Sequence, residues 1–127
     1  MEAKNKRSKD WLKKAVPEKD HLNDSLHLLK SSGFICWRQN VGAMQNPRGQ
    51  WVRFGFKGLP DIIGYIPKWV SKKSYAIPVF WESKRVNGRV RPAQREFIDA
   101  VQYNGAFAGI GTSQDLYDKL KEEGYLK

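Results

Sequence analysis

Glu82 and Lys84 stand two positions apart in FWESKR, residues 80–85, and Asp61 follows Pro60 at the head of an apolar run, DIIGYI. Side chains of an extended strand alternate between faces, so Phe80, Glu82 and Lys84 share one face while Trp81 and Ser83 share the other. Glu82 and Lys84 then emerge roughly 6–7 Å apart at the backbone. A carboxylate and an ammonium so placed act on one small volume. The carboxylate can hold a divalent cation through oxygen, and the ammonium can neutralise a phosphate or orient an attacking water. An exposed edge strand carries the same pair as a solvated ion pair, and two residues alone do not separate the readings. Asp61 adds a third group. A carboxylate at a strand's mouth is costly unless it has a partner. If the strands that carry Asp61 and Glu82 are neighbours, the two carboxylates converge on one cation. Mg²⁺ takes one or two protein carboxylates and completes its shell with water and substrate phosphate oxygens. The chemistry this set suits is metal-assisted phosphodiester hydrolysis.

Charge points the same way. The chain has 127 residues and a formal net charge of +10, from 23 Lys and Arg against 13 Asp and Glu. This favours an anionic partner, nucleic acid before an anionic membrane surface. No apolar run approaches the ~20 residues that span a bilayer. The basic first fifteen residues contain no apolar core of a secretory signal. Cys36 is the single cysteine, which excludes an internal disulfide or a zinc cluster and fits a reducing, cytoplasmic compartment. Arg38, Arg48, Arg53, Lys57, Lys68, Lys72, Lys73, Arg85, Arg89 and Arg91 fall mainly in loops or at strand ends. Each alone is a solvated surface residue, but together they form a candidate phosphate track. Lys57, Arg85 and Arg89 lead it, flanked by Arg38 and Arg91. Trp51 and Trp69 either stack on unpaired bases or pack in a core or a dimer face.

The elements that must position these groups follow from periodicity. Residues 1–16 form a mobile basic arm, and residues 17–127 form one domain. Pro17 opens a helix with Leu22, Leu26 and Leu29 at three- and four-residue spacing, ended by Gly33. FICWRQ follows as a strand, residues 41–50 as a loop, WVRFGF as a strand, DIIGYI as a strand and residues 67–74 as a basic loop. Residues 76–84 are the strongest strand, with Pro78 calling for an edge or a bulge near its start. A turn at Asn87-Gly88 leads to a helix opened by Pro92 with an apolar stripe of Ala93, Phe97, Ile98 and Val101. Residues 106–111 form a buried strand, and Thr112 or Ser113 caps a last helix. The order implies an α/β domain with a mixed sheet. Gln94 lies on the edge of the sheet-facing stripe, where its amide can point into the site. His21 and His27 match no metal spacing and are expected on the helix surface, and Cys36 in the core. GIGTS lacks the lysine of a phosphate loop and is better explained by a strand end and a helix cap.

Four ordered segments carry a resemblance. P60-D61 followed after twenty residues by E82-x-K84 resembles the PD-(D/E)XK nuclease signature. FICWRQNVGA, FKGLPDIIGYIP and WESKRVNGRVRPAQREFIDAVQYNGAFAGIG resemble successive blocks of its VRR-Nuc (virus-type replication-repair nuclease) branch, over about residues 18–120. The resemblance implies a restriction-endonuclease-like αβββαβ core, with a mixed central sheet flanked by helices. It also implies Mg²⁺ or Mn²⁺ as cofactor. Asp61, Glu82 and the backbone carbonyl of Ser83 would be metal ligands, Lys84 would position the water, and Gln94 would complete the motif. A glutamate of the first helix would hold a second metal; Glu18 is the candidate, with Asp20 and Asp24 competing and Asn23 near the expected turn. Small stand-alone members resemble Holliday-junction resolvases that act as homodimers. The expected activity is therefore a structure-selective or nicking DNA endonuclease on branched or nicked duplex, in the host cytoplasm if the source is viral. The alternatives are a catalytically silent DNA-binding module of the same fold and an unrelated basic nucleic-acid or membrane-surface binder.

Overall fold

The computed structural model describes residues 16–39 and 42–126. The basic arm expected over residues 1–16 therefore lies, but for Val16, outside the described residues. Among these, the elements run α1 (Glu18–Ser31), β1 (Ile35–Arg38), β2 (Gly42–Gln45), β3 (Trp51–Phe54), β4 (Ile62–Val70), β5 (Lys73–Ser83), α2 (Pro92–Tyr103), β6 (Phe107–Gly111) and α3 (Ser113–Glu122).

The domain is mixed α/β. Four strands form one sheet in the order β1-β4-β5-β6. The β1–β4 and β4–β5 pairs are antiparallel and the β5–β6 pair is parallel. Pro17 pre-sets the entry to α1, Glu18 and Asp20 meet the positive end of its dipole and Lys30 the negative end. Gly33, at φ +91°, reverses the chain in a conformation other residues adopt at a cost. α1 and α3 cover one face of the sheet with Leu22, Leu29, Leu116 and Leu120 against Ile62, Val79, Trp81 and Phe107. α2 covers part of the other face, where Phe97 meets Phe80 edge-on at a centroid distance of 5.2 Å.

Two stretches expected as loops are strands. Within residues 41–50, Gly42–Gln45 pairs with Trp51–Phe54 in a separate two-stranded hairpin, so the WVRFGF strand lies outside the main sheet. The turn needs only the segment after Gln45. The Asn46 side chain accepts from the N–H groups of Arg48 and Gln50, at 3.0 and 2.9 Å, and Gly49 takes φ +77°. The basic stretch 67–74 is also mostly strand. β4 and β5 continue to a two-residue turn at Ser71 and Lys72, both at positive φ. Trp69, Val70 and Tyr75 favour strand, while neither turn residue is the Gly or Asn that would announce such a turn. Pro78 is tolerated because β6 joins β5 only from Val79 onward, leaving β5 unpaired on that side at Pro78.

His21 is a further correction. It is buried, not on the helix surface, and its Nδ1 accepts from the Ser113 N–H at 3.2 Å while lying 3.0 Å from Ser113 Oγ. It thus ties α1 to the start of α3. His27 is exposed and Cys36 buried, as expected. Trp51 and Trp69 are both exposed.

Candidate active site

The β4–β5 register builds the site. Ile62 pairs with Trp81, so one step further Asp61 stands opposite Glu82 at the end of the ladder. Directly opposed residues of an antiparallel pair project on the same face with Cβ atoms about 4.5–5.5 Å apart. Asp61 is fixed from both sides: its backbone carbonyl accepts from Gln39 N at 2.6 Å and its Oδ2 from Ser83 N at 3.1 Å. The approach to Asp61 is fixed by Gly58. It takes φ +92°, and a Cβ there would lie 2.5 Å from the Ala93 carbonyl oxygen, so only glycine lets this loop rest on the start of α2.

Glu82 is buried, and its Oε1 accepts from Gln94 Nε2 at 3.1 Å. Gln94 is oriented in turn, because its Oε1 accepts from the Arg91 N–H at 3.0 Å. The glutamine at the third helical position thus reaches back to the residue before the helix, as in a capping box. The sequence carried that signal, in Pro92 opening the helix and Gln94 two residues on. Expecting only an amide aimed at the site missed this second bond.

Lys84 lies just past the end of β5, where its N–H is held by the Gly111 carbonyl at 2.8 Å. Its ammonium stands 3.9 Å from Glu82 Oε1 and 4.0 Å from Glu18 Oε1, and its side chain is 13% exposed. Burial pushes the Glu82 carboxyl up to about 8, the neighbouring Asp61 charge and hydrogen bond add to the rise, and Lys84 opposes it. Glu82 Oε2 is buried without a hydrogen-bond partner. An ionised Glu82 thus leaves one oxygen uncompensated beside a second carboxylate, an arrangement relieved by a shared proton or by a cation.

Asp61, Glu82, Ser83, Lys84, Gln94 and, through Lys84, Glu18 therefore come together. Asp20, Asn23 and Asp24 are exposed on α1. Arg38 ends β1 opposite Ile62, one residue from Asp61. Lys57, Arg85, Arg89 and Arg91 are exposed in the segments that lead into Asp61, leave Lys84 and enter α2. Lys84 and Arg85 also line a cleft of about 340 Å³ between the Asn87-Gly88 turn and the start of α3.

The donor set is all oxygen, which suits a hard divalent cation such as Mg²⁺ or Mn²⁺ rather than a thiolate- or imidazole-seeking metal. Among the described residues no group of three or more His, Cys, Asp or Glu side chains is arranged to hold a metal. Two opposed carboxylates with an orphaned oxygen nevertheless match the one or two that Mg²⁺ takes from a protein. No helix among the described residues is long and apolar enough to cross a membrane.

No match was found among curated proteins or among solved structures. A family model described as the VRR-NUC domain matches residues 3–115, nearly the whole chain. By that match the chain belongs to the VRR-NUC family, whose nuclease activity takes DNA as substrate.

Proposed function

We propose that this protein is a Mg²⁺- or Mn²⁺-dependent DNA endonuclease of the PD-(D/E)XK type, acting on branched or nicked duplex in the manner of a Holliday-junction resolvase. The observation that carries the reading is the buried Glu82 with the half-buried Asp61 opposite it and the Lys84 ammonium 3.9 Å from Glu82 Oε1. Leaving the β2–β3 hairpin aside, the order α1-β1-β4-β5-α2-β6 supports a restriction-endonuclease-like αβββαβ core. On this reading residues 17–127 are the nuclease domain, and the basic residues 1–16 add to its hold on DNA.

Asp61, Glu82 and the Ser83 carbonyl would hold the cation. When bound, it supplies Lewis acidity and charge neutralisation at the phosphoryl oxygens. Gln94, pinned by the Arg91 N–H, keeps Glu82 in a single orientation. Lys84 orients the attacking water and faces the negative charge that develops on the phosphoryl group. One P–O bond to the water oxygen forms, one P–O ester bond breaks, and the water's proton passes through solvent to the departing alkoxide. Glu18 sets the position of the Lys84 ammonium from the far side. Arg38, Lys57, Arg85, Arg89 and Arg91 hold flanking phosphates. A homodimer is favoured by the exposed Ile35, Trp37 and Tyr65, which share the face of Asp61 and Glu82 beside α2 and form an apolar patch of the kind that marks protein contacts.

The test is cleavage of supercoiled plasmid and of a four-way DNA junction with Mg²⁺, with Mn²⁺ and with EDTA, beside Lys84→Ala and Asp61→Asn. Cleavage that needs the metal and falls by roughly 100-fold or more in both variants is expected. DNA binding without cleavage, equal in all three proteins, would leave the silent-module reading instead.

A further inference from the structure

The main sheet is four strands wide only near the site. β1 leaves β4 after the Ile35–Tyr65 pair, and β6 joins β5 only from Val79, whereas β4 and β5 stay paired out to Val70 and Lys73. Ile66 and Ile77 still pack on the core, and residues 67–76 project beyond the four-stranded part as a two-stranded ribbon.

Its chemistry is one-sided. Between Asp61 and Glu82 the chain has no acidic residue, and its charged groups there are Lys68, Lys72 and Lys73, all at or near the tip. The register puts Trp69 on the face of Asp61 and Glu82, Lys68 and Lys73 on the reverse face, and Lys72 in the turn. Trp69 is 72% exposed. The turn itself is held at a cost: Ser71 and Lys72 sit at φ +50° and +67°, where Asn-Gly would be unstrained. Edge lysines and prolines also discourage strand-to-strand aggregation. That task is met by either sign of charge and by Pro67 and Pro78, and it gives no reason to place a lysine at a left-handed position.

The reach is specific. Ser71 lies ten residues beyond Asp61, which is about 33 Å along the strand. One turn of B-form duplex rises about 34–36 Å over roughly 10 base pairs, and its major groove admits a two-stranded ribbon. Phosphates line the walls of a groove and base edges its floor. A finger with cations on one face and at its tip, and an indole on the other, matches that lining.

Resting on the nuclease reading above, we propose that the β4–β5 ribbon is a second DNA contact, seated in a groove of the duplex about one helical turn from the bond that Asp61, Glu82 and Lys84 address. The enzyme would then require intact duplex on that side of the cleaved bond.

The test uses the full chain and the DNA that it cleaves, rebuilt as oligonucleotides with arms of about 5 or about 15 base pairs around the cleaved bond. The variants are Lys68→Ser/Lys72→Gly/Lys73→Ser, in which glycine also relieves the turn, and Lys68→Arg/Lys72→Arg/Lys73→Arg, which keeps the charge. Loss of three phosphate contacts lowers kcat/KM on the long arms by roughly 100-fold near 0.1 M salt and the salt slope by about 3. On the short arms the change stays within about threefold, and the arginine variant behaves as the parent. Equal effects on both arm lengths, or none on the long arms, overturn the proposal while leaving the nuclease reading intact. So does conversion of a dimer to monomers by the serine-glycine variant, which would make the ribbon a subunit contact. A parent protein that cleaves neither substrate overturns both.

Discussion

Asp61 and Glu82 oppose each other one step beyond Ile62–Trp81, the last rung of the β4–β5 ladder, and neither could be there as an isolated ionised group without cost. Asp61 is compensated by the Ser83 N–H at 3.1 Å. Glu82 is compensated on Oε1 only, by Gln94 at 3.1 Å and Lys84 at 3.9 Å. Its second oxygen is left for a proton or a cation.

That imbalance sets a pH dependence. The folded pKa of Glu82 is raised from 4.5 to about 8 by burial first and Asp61 second. The stability it contributes is therefore fully present below about 4.5 and is lost as pH rises through about 8. Metal-free protein should lose on the order of 1–3 kcal/mol, relative to Glu82→Gln, between about pH 5 and pH 9. Mn²⁺ should raise the unfolding temperature more at the upper end of that range than at the lower. Urea unfolding at a series of pH values, with EDTA and with Mn²⁺, measures both; parallel curves for the two proteins contradict the assignment.

Gln94 should matter through orientation. Gln94→Ala removes the donor to Glu82 and the acceptor for Arg91 N, and should lower the rate by roughly 10–100-fold, with loss of about 0.5–1.5 kcal/mol of stability. Gln94→Glu keeps the acceptor for Arg91 N but replaces the donor to Glu82 with a third carboxylate, so both its stability and its rate should fall, the stability least at low pH. Rates and thermal unfolding of the two variants side by side separate the contributions. An unchanged rate in Gln94→Ala would remove this residue from the site.

Glu18 contacts the lysine, not the carboxylate pair. Glu18→Gln should therefore lower the rate by at most about tenfold, and Asp20→Asn and Asp24→Asn should have no effect. Calorimetric titration with Mn²⁺ gives the independent readout. The high-affinity site should persist in Glu18→Gln and vanish in Asp61→Asn, and its loss in Glu18→Gln would make Glu18 a direct ligand.

His21 joins α1 to the start of α3 through Ser113. His21→Ala should cost about 1–3 kcal/mol by opening a small cavity and stranding the Ser113 N–H, which a drop in the thermal midpoint would report. The rate measured well below that midpoint should hold within about threefold, because His21 does not touch Asp61, Glu82 or Lys84 in the contacts above.

Much of this geometry was legible in the sequence because it rests on local periodicity. The two-residue period of FWESK puts Glu82 and Lys84 on one side, and Pro17, Gly33, Pro92 and Thr112 punctuate the helices in the expected places. What escaped depended on pairing partners or on turns that residue type does not announce. Gly42–Gln45 becomes a strand only because Trp51–Phe54 lies beside it. The ribbon tip was hidden by its three lysines and by a turn without glycine. His21 looked like a surface residue because its partner, Ser113, is 92 positions away.

The direction in which the β4–β5 hairpin zips has a consequence for folding. Its turn is at Ser71 and Lys72, and loop-closure entropy favours pairing from there outward. Asp61 and Glu82 therefore meet last, after Ile62 and Trp81 have paired. Those two side chains are almost wholly buried, so apolar burial at the last rung brings the two carboxylates together. Repulsion between the carboxylates then acts on a nearly complete hairpin, where it opposes folding late and unfolds nothing by itself. A core substitution at Ile62 or Trp81 would loosen the carboxylate pair together with the packing of α1 and α3, and the ribbon would register it last.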